Sequence, residues 1–293
     1  MNASTAIIIA TKGRPQELSN LLDALAGQTV APELIVVSAC DRHDVLPGEL
    51  DARHVKVLFG PPGSSVQRNR ALSEVRGKHD IVVFFDDDFV PSRFWIEQVK
   101  ALFAARPDVV CATGKVLTDG VTSGGIDWQV GRSIVDKADV SGTTAISNYD
   151  VQSDHPPYGC NMAFRAKNIE HLTFDERLVL YGWLEDRDFS HRAGAKMVWT
   201  DAIWGVHLGT TRGRSSGLRF GYSQLVNPRY LVQKGTMTRL AAAQAIFRAL
   251  SGNIFGSLLP FPQTDRRGRL KGNMIAIKDI FLARWAPEKA SEL

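Results

Sequence analysis

The chain has 293 residues, of which 44% are hydrophobic and 23% are charged, and its formal net charge at pH 7 is +4. This length and apolar fraction predict a globular protein with one large core, or one core with an appendage. The three cysteines are odd in number, far apart and not at metal-ligand spacing, so they exclude a disulfide framework and favour a reducing compartment. The first residues contain neither a basic segment nor an apolar run of signal-peptide length, and we expect a cytoplasmic protein.

Strand and helix patterns alternate through the first half of the chain. Short runs rich in Ile, Val and Phe predict strands at 6–10, 33–39, 55–59, 81–85 and 109–113. Apolar residues at helical spacing predict helices around 18–25 and over 66–75 and 94–105. This alternation predicts an α/β fold with a Rossmann-like, mostly parallel central sheet that is flanked by helices. From 119 to 157 the periodicity fades, and we expect a long irregular loop.

Three consecutive acids, Asp86, Asp87 and Asp88, follow the apolar run Val82–Phe85. In open α/β sheets ligands bind beyond the carboxyl ends of the strands, which is where these side chains are expected. Three carboxylates at one place are unfavourable unless a cation joins them, and Mg²⁺ or Mn²⁺ shared with substrate phosphates is the natural candidate. An acidic turn, or the N-cap of the following helix, explains the cluster equally well.

Five further segments accompany the acidic cluster. Thr11–Pro15 follows the first predicted strand, Asp41 follows the second, and Arg68 lies in the helix after the third. Two later segments run from 159 to 165 and from 182 to 188. Each segment is weak evidence by itself, whereas their order is specific. In this order the segments resemble the glycosyltransferase family 2 enzymes of the GT-A fold, over roughly residues 6 to 217.

The resemblance implies a site for the donor nucleotide. The residues that match the family's nucleotide contacts are Thr11, Asp41 and Arg68, and Asp86 matches the acid that faces the ribose. An Asp can accept the imide hydrogen of uracil and an Arg offers a planar fork to phosphate, so a UDP-sugar is favoured. Other residues assigned to the donor are Arg14, Asp87, Asn161, Arg212 and Arg214. Ordinary turn and surface-loop roles also explain Thr11, Arg14 and the basic segment 209–217.

The resemblance also implies a metal site. Asp88, the last acid of the triplet, is the expected ligand of Mn²⁺ or Mg²⁺, and Asp86 can face the same side because side chains alternate along an extended segment. His207 follows the apolar segment Ile203–Val206 and could supply an imidazole nitrogen to the same ion. A single histidine of this kind is as often structural.

Catalysis is assigned to acids at a helix start. In the family such a pair supplies the general base that takes the proton from the acceptor hydroxyl; Asp186 matches that residue, with Glu185 as the second candidate. Adjacent helical residues point about 100° apart, so only one of them can face the acceptor, and Asp188 should face away. Acids in a first turn also stabilise a helix through its dipole alone. Trp183 is assigned to the acceptor by stacking on a sugar ring, and a core position fits it equally well.

The C-terminal residues 235–293 are predicted as a basic, amphipathic helical extension. From Thr236 onward there are nine Lys or Arg against four acids. The apolar stretch 249–264 is too short to cross a bilayer. One apolar stripe at helical spacing is predicted over Leu270, Met274, Ile277, Phe281 and Trp285. Either the main domain or an anionic membrane surface could cover this stripe.

The resemblance implies a metal-dependent, inverting transfer of a sugar from a nucleotide-sugar to a glycan or lipid-linked acceptor. The expected domain spans 1–234, with donor binding in 1–115 and the acceptor part in 116–234. Synthesis of bacterial exopolysaccharide or cell-envelope glycan at the inner face of the cytoplasmic membrane suits such an enzyme, and no nucleic-acid partner is expected.

Three other functions stay open at this point. A sugar-1-phosphate nucleotidyltransferase would need a Gly-rich phosphate loop after the first strand, where this chain has Thr11–Pro15. A phosphatase of the haloacid-dehalogenase type would need its Asp pair early in the chain and followed by Thr, whereas Phe89 follows here. A non-catalytic nucleotide- or glycan-binding protein would bind the nucleotide without turnover.

Overall fold

The computed structural model describes residues 3–48, 54–121, 123–141, 157–194, 196–212, 216–258 and 264–293. The chain divides into two compact units. The first unit comprises 1–62, 67–173 and 193–213, and the second comprises 63–66, 174–192 and 214–293. The sequence predicts a domain boundary after residue 234, between parts of the chain that would fold independently. The division into two compact units does not test independent folding, so this boundary stays a prediction.

The first unit is built on one central sheet. Within the described residues its strands are β1 Thr5–Ala10, β2 Leu34–Ala39, β3 Val55–Phe59, β4 Ile81–Asp86, β5 Phe89–Pro91, β6 Cys111–Asp119, β7 Asn161–Arg165 and β8 Met197–His207. They are arranged in the order β3-β2-β1-β4-β7-β6-β8-β5. Strands β1 to β4 are parallel, whereas β7 enters antiparallel between β4 and β6, and β5 pairs antiparallel with β8. The predicted mostly parallel central sheet is thereby confirmed, with two reversed strands.

The apolar runs explain the core of this unit. Residues 7–9 of β1 are fully buried because helices cover both faces of a parallel sheet. Helix α1, Pro15–Ala26, begins with a proline at its first position, where the missing N–H costs nothing, and turns Leu18, Leu21 and Leu25 into the core. Three more helices of this part of the chain are α2 Ser64–Val75, α3 Trp95–Ala105 and the short α5 Ala166–Ile169.

A helix occupies part of the segment for which we expected an irregular loop. Helix α4 spans Trp128–Ser141, and 142–156 lie outside the described residues. Its buried residues are Gly131, Val135 and Asp139. Only Val135 has a large apolar side chain, so the buried face does not show the apolar periodicity that predicts a helix. The Asp139 carboxylate accepts hydrogen bonds from Ser92 Oγ at 2.6 Å and Trp204 Nε1 at 2.9 Å. The expectation was wrong here because the helix buries a glycine and a satisfied acid rather than an apolar stripe.

The second unit is helical. Its helices within the described residues are α6 Glu185–Ala193, α7 Gly217–Lys234, α8 Arg239–Leu258 and α9 Arg266–Phe281. Helix α7 packs against both α8 and α9. The contact with α9 is close, because a Cβ added to Gly221 would lie 2.1 Å from the carbonyl oxygen of Arg269. The predicted C-terminal helices are therefore present and packed within this unit.

The predicted apolar stripe of α9 does not form one covered face. Ile277 and Trp285 pack on the cluster around Tyr222, whereas Met274 and Phe281 are exposed. The buried face instead carries Gly272, Asn273, Ala276 and Asp279. The reason is that its polar members find partners: Asn273 Nδ2 donates to the carbonyl oxygen of Gly221 at 2.6 Å, and Tyr222 donates to Asp279. No helix in the described residues is long and apolar enough to cross a membrane.

The close approach of α7 and α9 gives a stability prediction. We expect Gly221→Ala to destabilise the protein by about 1–3 kcal/mol, because the added methyl group must push the α9 backbone away. Thermal unfolding followed by circular dichroism measures the loss. Gly235→Ala is a control for backbone conformation rather than packing. A Cβ there meets no atom within 4 Å, so alanine is disfavoured only by the left-handed φ of 82°. A Gly221→Ala variant as stable as the parent would contradict the packing described here.

Candidate active site

The acids of the triplet lie at the carboxyl ends of the central strands. Strand β1 pairs in parallel with β4, and Ala10 is level with Asp86. Thr11 therefore emerges beside the acids, and its amide donates to the carbonyl oxygen of Ser38 at 3.1 Å. Asp87 and Asp88 form the turn between β4 and β5 rather than an extension of the strand. Parallel pairing thus gathers groups that are far apart in sequence at one edge of the sheet.

Asp87 is held by two residues of the segment after β1. Thr11 Oγ1 donates to Asp87 Oδ2 at 2.7 Å, and an Arg14 NH group donates to Asp87 Oδ1 at 2.7 Å. Burial raises the pKa of the Asp87 carboxyl, the Arg14 charge opposes this rise, and Asp88 adds to it. Arg14 also donates to the carbonyl oxygens of Arg212 at 2.8 Å and Thr210 at 3.1 Å. Arg14 therefore ties the acidic turn to the segment after β8.

Asp86, Asp88 and His207 form a cluster that could hold a cation. Each offers one ligand atom, and these atoms lie within 4.8 Å of one another. His207 Nε2 lies 3.4 Å from Asp88 Oδ1, and Asp88 Oδ2 accepts a hydrogen bond from the amide of Thr210 at 2.8 Å. Burial would raise the pKa of Asp88, but the hydrogen bond from His207 and the nearby positive charges lower it. Two carboxylates and an imidazole suit a divalent ion such as Mn²⁺.

Asp119 and Tyr158 hold the other ring nitrogen of His207. Asp119 Oδ1 lies 3.1 Å from His207 Nδ1, the Tyr158 hydroxyl lies 3.2 Å from the same nitrogen, and that hydroxyl donates to Asp119 Oδ2 at 2.8 Å. Burial lowers the pKa of His207, but Asp119 and Asp88 together raise it to about 10. A carboxylate on Nδ1 leaves Nε2 directed at the cluster. Sequence reasoning missed both residues.

Arg68 and Asn161 differ in what their side chains can reach. Arg68 donates to Asp86 Oδ1 at 2.8 Å and to the carbonyl oxygen of Gly159 at 3.1 Å, so it lies in the acidic cluster. Asn161 is fully buried, and its Oδ1 accepts from the amide of Gly114 at 2.6 Å. The predicted donor contact of Asn161 conflicts with this placement, because its side chain joins β7 to β6 within the sheet.

The segment after β2 carries an exposed acid and a buried one. Asp41 is exposed and caps a 3₁₀ turn over Arg42–Asp44 by accepting from the amide of His43 at 2.9 Å. Asp44, which sequence reasoning missed, is buried and accepts from the amides of Gly13 at 2.6 Å and Cys40 at 2.9 Å. Asp44 thus fixes the loop after β1, and Asp41 keeps its carboxylate open to solvent.

The predicted catalytic acids begin α6 in the second unit. Glu185 is buried and accepts from Ser64 Oγ at 3.3 Å. Asp186 is half-buried, and its Oδ1 accepts from the amide of Arg187 at 2.7 Å. Asp188 is fully buried and accepts from Lys234 at 2.8 Å, so it has a structural role.

The remaining predicted site residues have different surroundings. Trp183 is half-buried and meets the ring of Phe220 edge-on, with centroids 5.4 Å apart. Leu184 precedes the acids with a φ of 74°, a conformation that non-glycine residues rarely adopt outside functional or constrained sites. The side chain of Arg212 is exposed. Arg214 lies outside the described residues.

Comparison with known proteins agrees with this geometry. The family model described as "Glycosyl transferase family 2" matches residues 6–173, which is more than half of the chain. The chain belongs to glycosyl transferase family 2. This family membership confirms the resemblance drawn from the motifs and makes the protein a glycosyltransferase. No curated protein sequence matches the chain.

Solved structures of glycosyltransferases show the same fold as this family 2 member. Residues 1–349 of S. aureus TarS, in complex with UDP-GlcNAc, superpose with a TM-score of 0.57 at 14% identity, over 96% of this chain and 82% of that one. The UDP complex of the same protein gives a TM-score of 0.56 at 13% identity, over 86% and 72%. The mannosyltransferase PcManGT from Pyrobaculum calidifontis, in complex with GDP-Man and Mn²⁺, gives 0.53 at 16% identity, over 99% and 83%. At these identities the likeness establishes the GT-A fold.

Proposed function

We propose that the protein moves a sugar from a nucleotide-sugar to a hydroxyl group of a glycan or lipid-linked acceptor, with inversion and with the help of a divalent cation. The observation that carries this proposal is the cluster of the half-buried Asp86 with the buried Asp88 and His207 at the carboxyl end of β4. A cation there would lie where a family 2 enzyme is expected to hold the diphosphate of its donor. Synthesis of exopolysaccharide or cell-envelope glycan at the inner face of the cytoplasmic membrane is the pathway and location that we favour.

The metal-ligand atoms of this cluster fit Mn²⁺ or Mg²⁺. Asp86 and Asp88 would supply carboxylate oxygens, and His207 would supply Nε2, which its contact with Asp119 leaves facing the acids. A bound divalent cation neutralises the charge that grows on a leaving nucleoside diphosphate. The complex of PcManGT with GDP-Man and Mn²⁺ supports the same class of ion. We favour Mn²⁺, since a nitrogen ligand is less suited to Mg²⁺.

The donor nucleotide would be held by residues at the sheet edge. We assign Asp41 to the base because its carboxylate is exposed beside the end of β2. Asp86 is assigned to the ribose, with Arg68 as its hydrogen-bond partner. Thr11 and Arg14 would act through Asp87, while Arg212 and Arg214 could bring guanidinium groups to the diphosphate. A UDP-sugar remains our preferred donor, in line with the UDP and UDP-GlcNAc of the TarS complexes.

Asp186 is assigned as the general base, with Glu185 as the second candidate. In the proposed step the acceptor oxygen forms a bond to the anomeric carbon, the bond from that carbon to the phosphate oxygen breaks, and the hydroxyl proton passes to the Asp186 carboxylate. Asp186 suits this role better than Glu185, because Asp186 is half-buried whereas Glu185 is buried beside Ser64. Trp183 is assigned to the acceptor sugar.

Ligand screening followed by a transfer assay tests the proposal. Nucleoside diphosphates and nucleotide-sugars that bind should raise the melting temperature in the presence of Mn²⁺ and do so less with a chelator. The stabilising nucleotide-sugar should then donate its sugar to acceptor glycans. Release of pyrophosphate from a nucleoside triphosphate and a sugar 1-phosphate would instead identify a nucleotidyltransferase. Binding without transfer to any acceptor would favour a non-catalytic protein.

The contact between Asp119 and His207 gives a prediction that does not depend on the acceptor. We expect Asp119→Asn to weaken Mn²⁺ binding by about 10–100-fold, because residues that orient a metal-bound histidine have effects of this size. Electron paramagnetic resonance of free Mn²⁺ measures the affinity directly. Asp127→Asn is the matched control, since Asp127 is exposed and only caps the amide of Gln129. Unchanged Mn²⁺ affinity in Asp119→Asn would remove Asp119 from the site.

A further inference from the structure

Helix α8 exposes a row of large apolar side chains. Leu240, Phe247, Ile254 and Leu258 recur after seven, seven and four residues, and Phe255 lies beside them. In an α-helix these spacings return to the same face. The five side chains are between 46% and 77% exposed. A row of this size, which we call the α8 apolar row, is typical of a surface that another body covers.

The opposite face of α8 fixes the helix in this orientation. Ala242, Asn253 and Gly256 are buried there. Asn253 Nδ2 donates to Gln224 Oε1 and to Asn273 Oδ1, both at 2.8 Å, and these amides belong to α7 and α9. Rotating α8 to bury the apolar row would expose Ala242 and break these buried hydrogen bonds. The row is therefore held outward by the packing of the second unit.

Helix α9 presents a second exposed row, in which basic and apolar side chains are mixed. Its members recur after four, three, four and three residues and are all exposed: Arg267, Lys271, Met274, Lys278 and Phe281. Because α7, α8 and α9 pack against one another, the exposed rows of α8 and α9 both lie on the outer side of this three-helix group. This outer side combines apolar bulk with lysine and arginine.

The exposed charged residues within α8 and α9 are all basic. Helix α8 contains Arg239 and Arg248 and no acid, and the single acid of α9, Asp279, is buried and paired with Lys289 at 2.6 Å. Asp265, which precedes α9, is occupied in capping it and accepts from the amide of Gly268 at 2.7 Å. A second copy of the chain seated on this face would bring like charges together. The complementary partner is an anionic surface that can also take up apolar side chains.

We propose that the outer side of α8 and α9 binds the surface of an anionic lipid bilayer. The α8 apolar row would enter the boundary between headgroups and acyl chains, and the cations of α9 would lie among the anionic headgroups. The protein would lie on the bilayer rather than cross it, in keeping with the lack of a membrane-spanning helix among the described residues. This surface lies in the second unit, and its role goes beyond the proposed sugar transfer.

Vesicle sedimentation of the full chain tests the proposal. Vesicles of phosphatidylcholine and phosphatidylglycerol in equal parts should carry the protein down at low salt, whereas phosphatidylcholine alone should not. Lys271→Glu with Lys278→Glu should lower the partition coefficient at least ~30-fold, because each basic residue near such a surface contributes about 1 kcal/mol. Phe247→Ser with Phe255→Ser should lower it ~10-fold or more through lost apolar contact.

The matched control places the same kinds of change on another exposed helix. Lys137→Glu with Val140→Ser alters two exposed positions of α4, outside the proposed surface, and should leave sedimentation unchanged. Melting temperature and binding of UDP with Mn²⁺ should stay at parental values in every variant, which separates this proposal from that of sugar transfer. Absence of sedimentation, equal binding to neutral vesicles, or an equal loss in the α4 control would overturn the proposal. So would a dimer in sedimentation velocity that Phe247→Ser with Phe255→Ser converts to a monomer.

Discussion

Asp88→Asn is expected to remove metal-dependent binding of nucleoside diphosphates while the protein stays folded. The change deletes a negative charge from the cluster with Asp86 and His207 but keeps the side-chain shape. The new amide oxygen can still accept the hydrogen bond that the amide of Thr210 now donates to Asp88 at 2.8 Å. Nucleotide affinity in Mn²⁺ should fall by more than about 100-fold, since losing a ligand should exceed the 10–100-fold effect of its outer partners.

Calorimetry with UDP and GDP, in Mn²⁺ and in a chelator, measures this effect. The parent should bind more tightly in Mn²⁺, and Asp88→Asn should give the same weak affinity under both conditions. Asp201→Asn is a suitable control, because Asp201 is an exposed acid of β8 in the same unit. Asp88→Ala should show the same loss of affinity. It is less specific than Asp88→Asn, because it also leaves the amide of Thr210 without its hydrogen-bond acceptor. Equal affinity and equal metal dependence in Asp88→Asn and the parent would end the assignment of Asp88 to the metal.

The parallel half of the sheet could be predicted because three of its four strands, β1, β2 and β4, are buried on both faces. Strands β1, β2 and β4 are continuous apolar runs, and such runs bounded by turns are a local signal. The insertion of β7 between β4 and β6 could not be predicted in the same way. Its direction follows from pairing with residues about 80 positions earlier, such as Met162 with Phe84, and no local pattern encodes a partner at that distance.

The candidate site divides along the same line. Residues that follow apolar strands, such as Thr11 and Asp86, could be placed at one sheet edge because topology alone brings strand ends together. The roles of Asp119 and Asp44 could not be predicted, since each forms a hydrogen bond with a residue far away in the chain. Asp119 contacts His207, 88 positions later, and Asp44 contacts Gly13, 31 positions earlier. Asn161 shows the converse error, because a motif position says nothing about which way its amide points.

Helix packing sets a further limit on sequence reasoning. The stripe on α9 was chosen by apolar spacing, yet the face that packs on α7 is built from Gly272, Asn273, Ala276 and Asp279. Small residues allow the close backbone approach, and the polar ones are satisfied across the contact. Hydrophobic periodicity ranks such a face as exposed. Two apolar side chains of the predicted stripe, Met274 and Phe281, are therefore left exposed.

The second large effect is expected for Asp186→Asn, which should bind the donor normally and lose sugar transfer. Asparagine keeps the size of the side chain and can still accept the hydrogen bond from the amide of Arg187, now 2.7 Å long. It cannot take a proton from the acceptor hydroxyl. Losing one positioned general base should lower the rate on the order of 10²–10⁴-fold. Transfer from a radiolabelled nucleotide-sugar, with donor affinity measured by calorimetry on the same preparation, separates the two effects.

Two neighbouring acids serve as internal comparisons for Asp186. Glu185→Gln should retain most activity if Asp186 is the base, because glutamine has almost the same size and shape as glutamate. Size matters at this position, since the Glu185 carboxylate is packed so closely that a Cβ on Gly182 would lie only 3.2 Å from it. Asp188→Asn should instead lower stability, by about 3 kcal/mol or more, because it leaves the ammonium of Lys234 without one of its buried partners. An inactive Glu185→Gln beside a nearly normal Asp186→Asn would exchange the two roles. Full transfer in both variants would remove the helix-start acids from the proton transfer and require a base elsewhere in the chain.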